Sequence, residues 1–229
     1  MQLIIKQIFN NNTAIVDLGD NQQAIVKGKG IGFNKSKNSE LDSSKIEKIF
    51  YLDSADSQKN LYFLLKDIPI DIVTTTYEIV DYAQKKFGYQ TLDYIYITLS
   101  DHIYGAYKRY VDGTYKPSQI PDMSDKYIDE YLIASKGLNI INSNLNIKLP
   151  ESEIKNIALH FINAEGQNGK QLKEDDGKID FHKLINDILI RNNIFRTKSN
   201  SSYYDRFMIH MQYLSKRLNN MAQDTEFDE

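Results

Sequence analysis

The chain has 229 residues, contains no cysteine and carries a formal net charge of −3 at pH 7. The lack of cysteine excludes a disulfide framework, a thiolate metal site and a cysteine nucleophile, and no apolar run approaches the roughly 18–20 residues that a membrane span requires. The N-terminal sequence is not that of a signal peptide, so we expect a cytoplasmic protein whose length allows two modest domains.

Four short β-prone runs occupy the first 52 residues. They are residues 3–9, 13–18, 23–26 and 46–52. Asn10-Asn11-Asn12 and Gly19-Asp20-Asn21 separate the first three runs, and both Asn and Gly tolerate the left-handed conformations of tight hairpins. The pattern predicts a small four-stranded antiparallel meander. Because such a sheet has little core of its own, dimerisation through one face is favoured.

A glycine–lysine loop, which we define as residues 27–33, follows the third run. It consists of Lys27, Gly28, Lys29, Gly30, Ile31, Gly32 and Phe33. Lysines can contact phosphates, bare glycine backbone permits close approach, and an aromatic ring can stack on an unpaired base. The loop therefore predicts a nucleic-acid contact, with a solvated β-turn as the alternative. A nucleotide-binding P-loop is disfavoured, because the Gly-Lys-Ser/Thr ending and the following helix are missing.

The charge around this loop is only modestly positive. Residues 1–50 contain seven Lys against five Asp and Glu, and Lys35 and Lys37 extend the basic run without an intervening acid. An attraction for nucleic acid must therefore be local, since the whole chain is slightly acidic.

Helical periodicity replaces the strand pattern after a polar segment at 54–59, which predicts a linker. Asp67-Ile68-Pro69 is typical of a helix start and Gly88 of a helix end. Apolar residues at helical spacing predict three more helices. They run through residues 95–106, 127–141 and 154–161. We expect one all-helical bundle over residues 67–170.

Two further helical runs, at about 179–192 and 203–219, begin after Gly177, with a polar segment between them. An offset of 108 residues aligns His210 with His102, Phe207 with Leu99, and Lys216-Arg217 with Lys108-Arg109. This predicts the opening of a second helical domain, of which about half is present.

Three of the four histidines, His102, His160 and His210, lie on or beside apolar helix stripes, with Asp101 next to His102 and Glu165 shortly after His160. One interpretation is a partly buried structural histidine. A metal site is disfavoured, because the three histidines are far apart in the chain and lack close ligand pairs. Phosphoryl acceptance is the functional alternative: it adds roughly two negative charges, enough to bias a two-state assembly. His182 lacks a comparable context.

Four segments in this order resemble the BglG/SacY family of transcriptional antiterminators over essentially the whole chain. They are Asn10-Asn11-Asn12, Gly28-Lys29-Gly30-Ile31-Gly32-Phe33, Leu99-Ser100-Asp101-His102-Ile103 and Ala158-Leu159-His160-Phe161-Ile162-Asn163-Ala164-Glu165. The resemblance implies a multidomain α and β protein. A four-stranded antiparallel RNA-binding domain at 1–56 would precede all-α helical regulation domains of the phosphotransferase system, one at 66–171 and an incomplete second at 172–229.

The resemblance also implies a function for the first domain. A homodimer would bind a hairpin in a leader mRNA and prevent an overlapping terminator from forming. The family's contact positions match Asn10, Asn12, Gly28, Lys29, Gly30 and Phe33, and we expect Lys27, Ile31 and Gly32 to complete the interface. Lys29 stands where the family often has Arg or Lys, and it lacks the planar fork of an Arg.

Regulation is implied by the helical domains. A cognate sugar permease would phosphorylate His102 and His160 to switch the protein off, and the phosphocarrier protein HPr would phosphorylate His210 to promote activity. We expect no enzymatic activity, catalytic residue, metal or cofactor, and no membrane insertion. A DNA-binding activator with the same regulation domains is an alternative that the β-rich first 50 residues disfavour. A phosphohistidine carrier is another, although no substrate pocket is evident.

Overall fold

The computed structural model describes residues 3–52, 54–164, 181–195 and 197, together with six positions between 204 and 214. The chain divides into two compact units, Met1–Gly166 and Gln167–Glu229. The first unit contains a β-sheet and five α-helices. The described part of the second unit contains a continuous helix of 11 residues.

The sheet is an antiparallel meander in the order β1-β2-β3-β4, as predicted. Its strands are β1 (Ile4–Asn10), β2 (Thr13–Gly19), β3 (Gln22–Lys27) and β4 (Lys48–Leu52). Asp20 and Asn21 form the β2–β3 turn with φ values of +50° and +61°, which explains why left-handed-tolerant residues occur there.

One face of the sheet carries a compact apolar cluster. Its buried members are Leu3, Ile5, Ala14, Val16, Leu18, Ala24, Val26, Ile31 and Leu41. Successive side chains of a strand point to opposite faces of the sheet. The cluster members on β2 and β3 therefore lie on the same face: Ala14, Val16, Leu18, Ala24 and Val26. The segment 38–41 runs along the edge of β1, where Ile5 N–H donates to Ser39 O at 3.0 Å and Leu41 N–H to Leu3 O at 2.9 Å, so this edge is not open for pairing with another strand.

Helices α1 (Ala55–Leu64) and α2 (Ile70–Phe87) cover the other face. Gln23 of β3 donates to Gln58 Oε1 at 3.0 Å and accepts from the Tyr62 hydroxyl at 3.0 Å. The ring of Phe50 in β4 lies 5.7 Å from that of Tyr77 in α2. Both faces of the sheet are therefore covered by the same chain.

The prediction of a linker over 54–59 is wrong, because α1 begins at Ala55. Ser54 and Ser57 form a reciprocal capping box: Ser57 N–H donates to Ser54 Oγ at 2.9 Å, and Ser54 N–H donates to Ser57 Oγ at 3.1 Å. These contacts satisfy two backbone donors at the helix start. Burial of Leu61 and Leu64 then holds this polar helix in place.

The described residues between 67 and 164 confirm the predicted helical bundle. Helices α3 (Ile95–Val111) and α4 (Ile128–Leu145) pack against α2, and α5 (Glu153–Ala164) packs against α3 and α4. Gly88 ends α2 with φ +62°, as its position predicted. A Cβ on Gly137 of α4 would lie 3.1 Å from Ile79 Cγ2 of α2, so the two helices approach closely where glycine has no side chain.

In the second unit, α6 (Phe181–Arg191) corresponds to the predicted run at 179–192. Six residues of the predicted run at 203–219 are described, and all are helical. They are Tyr204, Phe207, Met208, His210, Met211 and Leu214. The rest of that run and the acidic C-terminal residues lie outside the described part of the chain. Within the described part, no helix is long and apolar enough to cross a membrane.

Candidate functional site

The glycine–lysine loop is attached to the β1–β2 turn by three backbone donors. Gly28 N–H donates to Asn12 O at 3.0 Å, Gly30 N–H to Asn12 Oδ1 at 2.9 Å, and Gly32 N–H to Asn11 O at 2.9 Å. The structure thus brings together two of the segments that the sequence singled out, and it gives Asn12 a role in shaping the loop.

The three glycines meet two kinds of constraint. A Cβ on Gly28 would lie 1.8 Å from Lys45 O, and one on Gly32 would lie 2.6 Å from Asn10 O. Gly30 has open space around it but a φ of +69°, which side-chain-bearing residues rarely adopt. The alternate glycines are therefore required by backbone packing at two positions and by conformation at the third.

The predicted contact residues differ in exposure. Phe33 is 60% exposed and Lys29 is exposed, whereas Lys27 and Asn10 are half-buried. Ile31 is 1% exposed and belongs to the apolar cluster of the sheet. Ile31 therefore supports the loop from below, and its side chain is not available to a ligand in this arrangement.

Residues Asn10, Thr13, Lys27 and Lys48 form a row across the sheet, each paired with the next on the neighbouring strand. Helix α2 contributes two carboxylates to this row. Asn10 Nδ2 donates to Asp71 Oδ1 at 3.3 Å, and Lys48 forms an ion pair with Glu78.

Glu78 is held ionised by this row. Burial raises the pKa of Glu78, but hydrogen bonds from Lys48 and Asn144 and the charges of Lys48 and Lys27 outweigh burial and lower it. The positive charge beside the loop is thus partly neutralised by the helical region of the same unit.

The second candidate site lies between α3 and α5, where His102 and His160 come together. Their ring centroids are 5.1 Å apart, and His160 Nδ1 lies 3.3 Å from Thr98 Oγ1. The two histidines are 58 positions apart in the sequence, so packing of α3 against α5 creates the pair. A group added to either ring would lie beside the other.

Glu153, the first residue of α5, holds His102. Its Oε2 lies 2.6 Å from His102 Nε2, and the Tyr115 hydroxyl donates to its Oε1 at 2.6 Å. The Glu153 side chain is 3% exposed. A buried carboxylate is tolerated only with such donors, and the N-terminal end of a helix also favours negative charge.

The pKa of Glu153 reflects these contacts. Burial raises it, but hydrogen bonds from His102 and Tyr115 and the His102 charge lower it further, to about 2. Burial and the adjacent Glu153 raise the pKa of Tyr115 to about 12. At neutral pH the cluster therefore contains an ionised carboxylate and a protonated phenol.

Glu153, Tyr115 and Thr98 were not predicted from the sequence. Asp101 adjoins His102 in the chain, but the structure shows the carboxylate of Glu153 in contact with the His102 ring. Glu153 carries no local signal, since an acid in the first turn of a helix is common for dipole reasons alone. Glu165 lies outside the described residues.

The remaining histidines belong to the second unit. His210 is helical and half-buried, and the His182 side chain lies outside the described part of the chain. Among the residues described, no group of three or more His, Asp or Glu side chains could hold a metal ion.

Comparison with known families and proteins adds independent findings. The family model for the CAT RNA-binding domain matches residues 3–59, and that for the PRD domain matches residues 77–164. The transcription antiterminator LacT of Lacticaseibacillus casei is 54% identical over 215 residues, which cover 93% of this chain and 74% of LacT. The transcription antiterminator LicT of Bacillus subtilis is 33% identical, with 94% of this chain and 78% of LicT covered.

Two more similarities agree with these. A beta-glucoside operon antiterminator of Dickeya chrysanthemi is 32% identical over 93% of this chain and 75% of its own length. The crystal structure of GlcT CAT-PRDI superposes with a TM-score of 0.58 at 28% identity, covering 73% of this chain and all of the GlcT chain.

Proposed function

Because this chain belongs to the BglG/SacY family of transcriptional antiterminators, with a CAT RNA-binding domain followed by a PRD domain, we propose that it binds a hairpin in a leader mRNA as a homodimer. Binding prevents formation of an overlapping terminator at a sugar-utilisation operon, in the cytoplasm. The observation that carries the proposal is the loop that Asn12 holds in place, with Lys29 and Phe33 exposed on it.

The chemistry of this loop suits an irregular hairpin. Single-stranded loops and bulges present unstacked bases, on which an exposed ring such as Phe33 can stack. Lys29 supplies charge for the phosphates, and the open space beside the Gly30 backbone permits close approach. Lys27, Gly28, Gly32 and Ile31 act from beneath, through charge or through the backbone that they shape.

A homodimer requires a surface through which two copies of the chain make contact. Since one sheet face is filled by the apolar cluster and the other by α1 and α2, a contact through a sheet face requires those two helices to move. We propose that this movement is part of activation. This proposal replaces the expectation from the sequence that one sheet face is free for dimerisation.

Control comes from histidine phosphorylation by the phosphotransferase system. We propose that a sugar permease phosphorylates His102 and His160 and thereby inactivates the protein, and that HPr acts on His210 in the opposite sense. A phosphoryl group on either ring of the His102–His160 pair would introduce about two negative charges beside the other ring. On His102 these charges would be carried by the ring that contacts Glu153. The proposed domains are 1–56, 66–171 and 172–229.

The alternatives are less well supported. A DNA-binding activator would need a helix-turn-helix module, and the described residues 3–52 form a sheet with one short 3₁₀ turn. The CAT RNA-binding match occupies the same region. A phosphocarrier role gains no support from the relatives, which are named as antiterminators.

A binding titration tests the RNA proposal. The full chain is titrated at low salt with a hairpin that contains internal loops and, separately, with a fully paired duplex of equal length. We expect preferential binding to the looped hairpin. If Lys27, Lys29, Lys35 and Lys37 all meet phosphates, log affinity falls with log salt with a slope of about −3 per protomer. Equal affinity for both RNAs, or a slope near zero, would contradict the proposal.

A further inference from the structure

The carboxylate of Glu153 determines which nitrogen of His102 carries the ring proton. An ionised carboxylate can only accept hydrogen bonds, and Oε2 of Glu153 lies 2.6 Å from His102 Nε2. The proton of a neutral His102 ring therefore resides on Nε2. The lone pair resides on Nδ1, for which the structure shows no hydrogen-bond partner among the described residues.

Tyr115 keeps Glu153 in place for this contact. Its hydroxyl donates to Glu153 Oε1 at 2.6 Å and lies 3.3 Å from Ser152 Oγ. The Glu153 side chain is 3% exposed, so water does not compete for the carboxylate. The low pKa of Glu153 agrees with a carboxylate that stays ionised at neutral pH.

We propose that Glu153, held by Tyr115, is a positioning residue that fixes His102 as the Nε2–H tautomer and makes Nδ1 the atom that accepts a phosphoryl group. This inference rests on the proposed phosphorylation of His102. In histidines generally, the hydrogen bond made by one ring nitrogen determines whether the other ring nitrogen carries a proton.

The Nδ1 lone pair attacks phosphorus, a P–N bond forms at His102, and the bond from phosphorus to the donor's leaving group breaks with its electron pair. The ring gains positive charge as the bond forms, and the Nε2 proton remains on the ring. Glu153 stabilises that charge, as a buried carboxylate does for an imidazolium in a catalytic triad. Attack by Nε2 would instead require Glu153 to leave.

The first measurement is the tautomer of His102 in the unphosphorylated full chain, read from its ring ¹⁵N chemical shifts and assigned with His102→Gln. We expect the Nε2–H tautomer in the neutral ring. In Glu153→Gln the amide can both donate and accept, so we expect a mixture. An Nδ1–H tautomer in the native protein would overturn the proposal.

The second measurement uses phosphoramidate as the phosphoryl donor, with ammonia as its leaving group. ³¹P–¹⁵N NMR of the full chain identifies the phosphorylated atom of His102. We expect the Nδ1 isomer in the native chain, a slower reaction by about tenfold in Glu153→Gln, and an increased share of the Nε2 isomer. A native Nε2 isomer, or no phosphoryl group on His102 while His160 is labelled, would overturn the proposal.

Two control variants distinguish a positioning role of Glu153 from an effect on folding stability. Glu151→Gln changes an exposed acid two residues earlier and should alter neither the tautomer nor the isomer. Tyr115→Phe removes only the hydroxyl that holds Glu153 and should shift the isomer ratio in the same direction as Glu153→Gln, but less. An unchanged ratio in both Tyr115→Phe and Glu153→Gln, in folded protein, would contradict the positioning role.

Failure of the positioning role of Glu153 can be distinguished from failure of the proposed function. Phosphorylation by a permease and RNA affinity are measured separately, and a fixed tautomer does not depend on either. If the permease fails to phosphorylate a His102 that phosphoramidate modifies at Nδ1, the proposed regulation fails while the positioning role stands.

Discussion

Asn10 of β1 donates a hydrogen bond from Nδ2 to Asp71 Oδ1 in the first turn of α2, over 3.3 Å. A residue proposed to contact RNA is thereby bonded to the helical region of its own unit. The ion pair between Lys48 and Glu78 connects the opposite end of the same cross-strand row to the same helix. If RNA binds at the loop as proposed, helix α2 competes with it for the polar groups beside the loop.

Removing the Asp71 carboxylate should increase RNA affinity. In Asp71→Ala, Asn10 loses an acceptor and the phosphates lose a nearby negative charge, so we expect affinity to rise about two- to tenfold, the equivalent of one modest hydrogen bond. RNA titration at fixed salt measures the change. Asp81→Ala is the matched control, because Asp81 lies on the same helix and forms an ion pair with the exposed Lys85 at 2.9 Å. An equal effect of both changes would refute the competition.

Phe33→Ala should weaken RNA binding by about 1–3 kcal/mol, which is the contribution of one base stacked on an aromatic ring. Phe33 is 60% exposed, so its removal should leave the free energy of unfolding nearly unchanged. Tyr51→Ala serves as the control, since Tyr51 is 57% exposed on β4 and outside the loop. Loss of affinity in Tyr51→Ala alone would place the RNA elsewhere on the domain.

The glycines of the loop should respond to substitution in a fixed order. Gly28→Ala places a Cβ against Lys45 O, and relief of that clash should cost about 3 kcal/mol of folding stability. Gly30→Ala meets only an unfavourable left-handed conformation, which should cost about 1 kcal/mol. Denaturant unfolding of the two variants measures the difference. A larger loss for Gly30→Ala would contradict the close approach of Gly28 to Lys45 O.

The sequence predicted those features that depend on local chemistry. The turn at Asp20-Asn21 and the end of α2 at Gly88 both follow from residues that tolerate a left-handed conformation. The start of α1 was missed because its capping box consists of two serines. A Ser at the third helical position resembles an ordinary loop residue.

Contacts between distant residues could not be predicted. Glu153 lies 51 positions from His102, and Tyr115 lies 38 from Glu153, so their meeting depends on how α3 and α5 pack. The packing of α1 and α2 on the sheet also depends on contacts between distant residues. Gln23 contacts Gln58, 35 positions away, and Phe50 contacts Tyr77, 27 positions away. The sequence identified the two histidines of the site but not the carboxylate that orients one of them.

Glu153 should make the protein acid-sensitive. Its pKa is about 2 in the folded chain and near 4.3 in an unfolded one, so it stabilises the fold above about pH 4.3, and this stabilisation is lost as pH falls toward 2. Between about pH 5 and pH 2 the native chain should therefore lose more stability than Glu153→Gln. Unfolding in denaturant at several pH values tests this. Parallel pH profiles for the two proteins would contradict the low pKa.

Charge at the paired histidines should inhibit the protein. A His102→Asp, His160→Asp variant introduces a carboxylate at position 102, beside the buried Glu153, and a second one at position 160. Glu153 also loses its hydrogen-bond donor from His102, and the unpaired acceptor costs about 1–3 kcal/mol. We expect several-fold lower antitermination in a cellular reporter, with weaker dimerisation in solution. A His102→Asn, His160→Asn variant controls for loss of the rings without added charge and should retain more activity. Because Asp and Asn have nearly the same size and shape, full activity of the Asp variant would exclude an inhibitory role for negative charge at this pair.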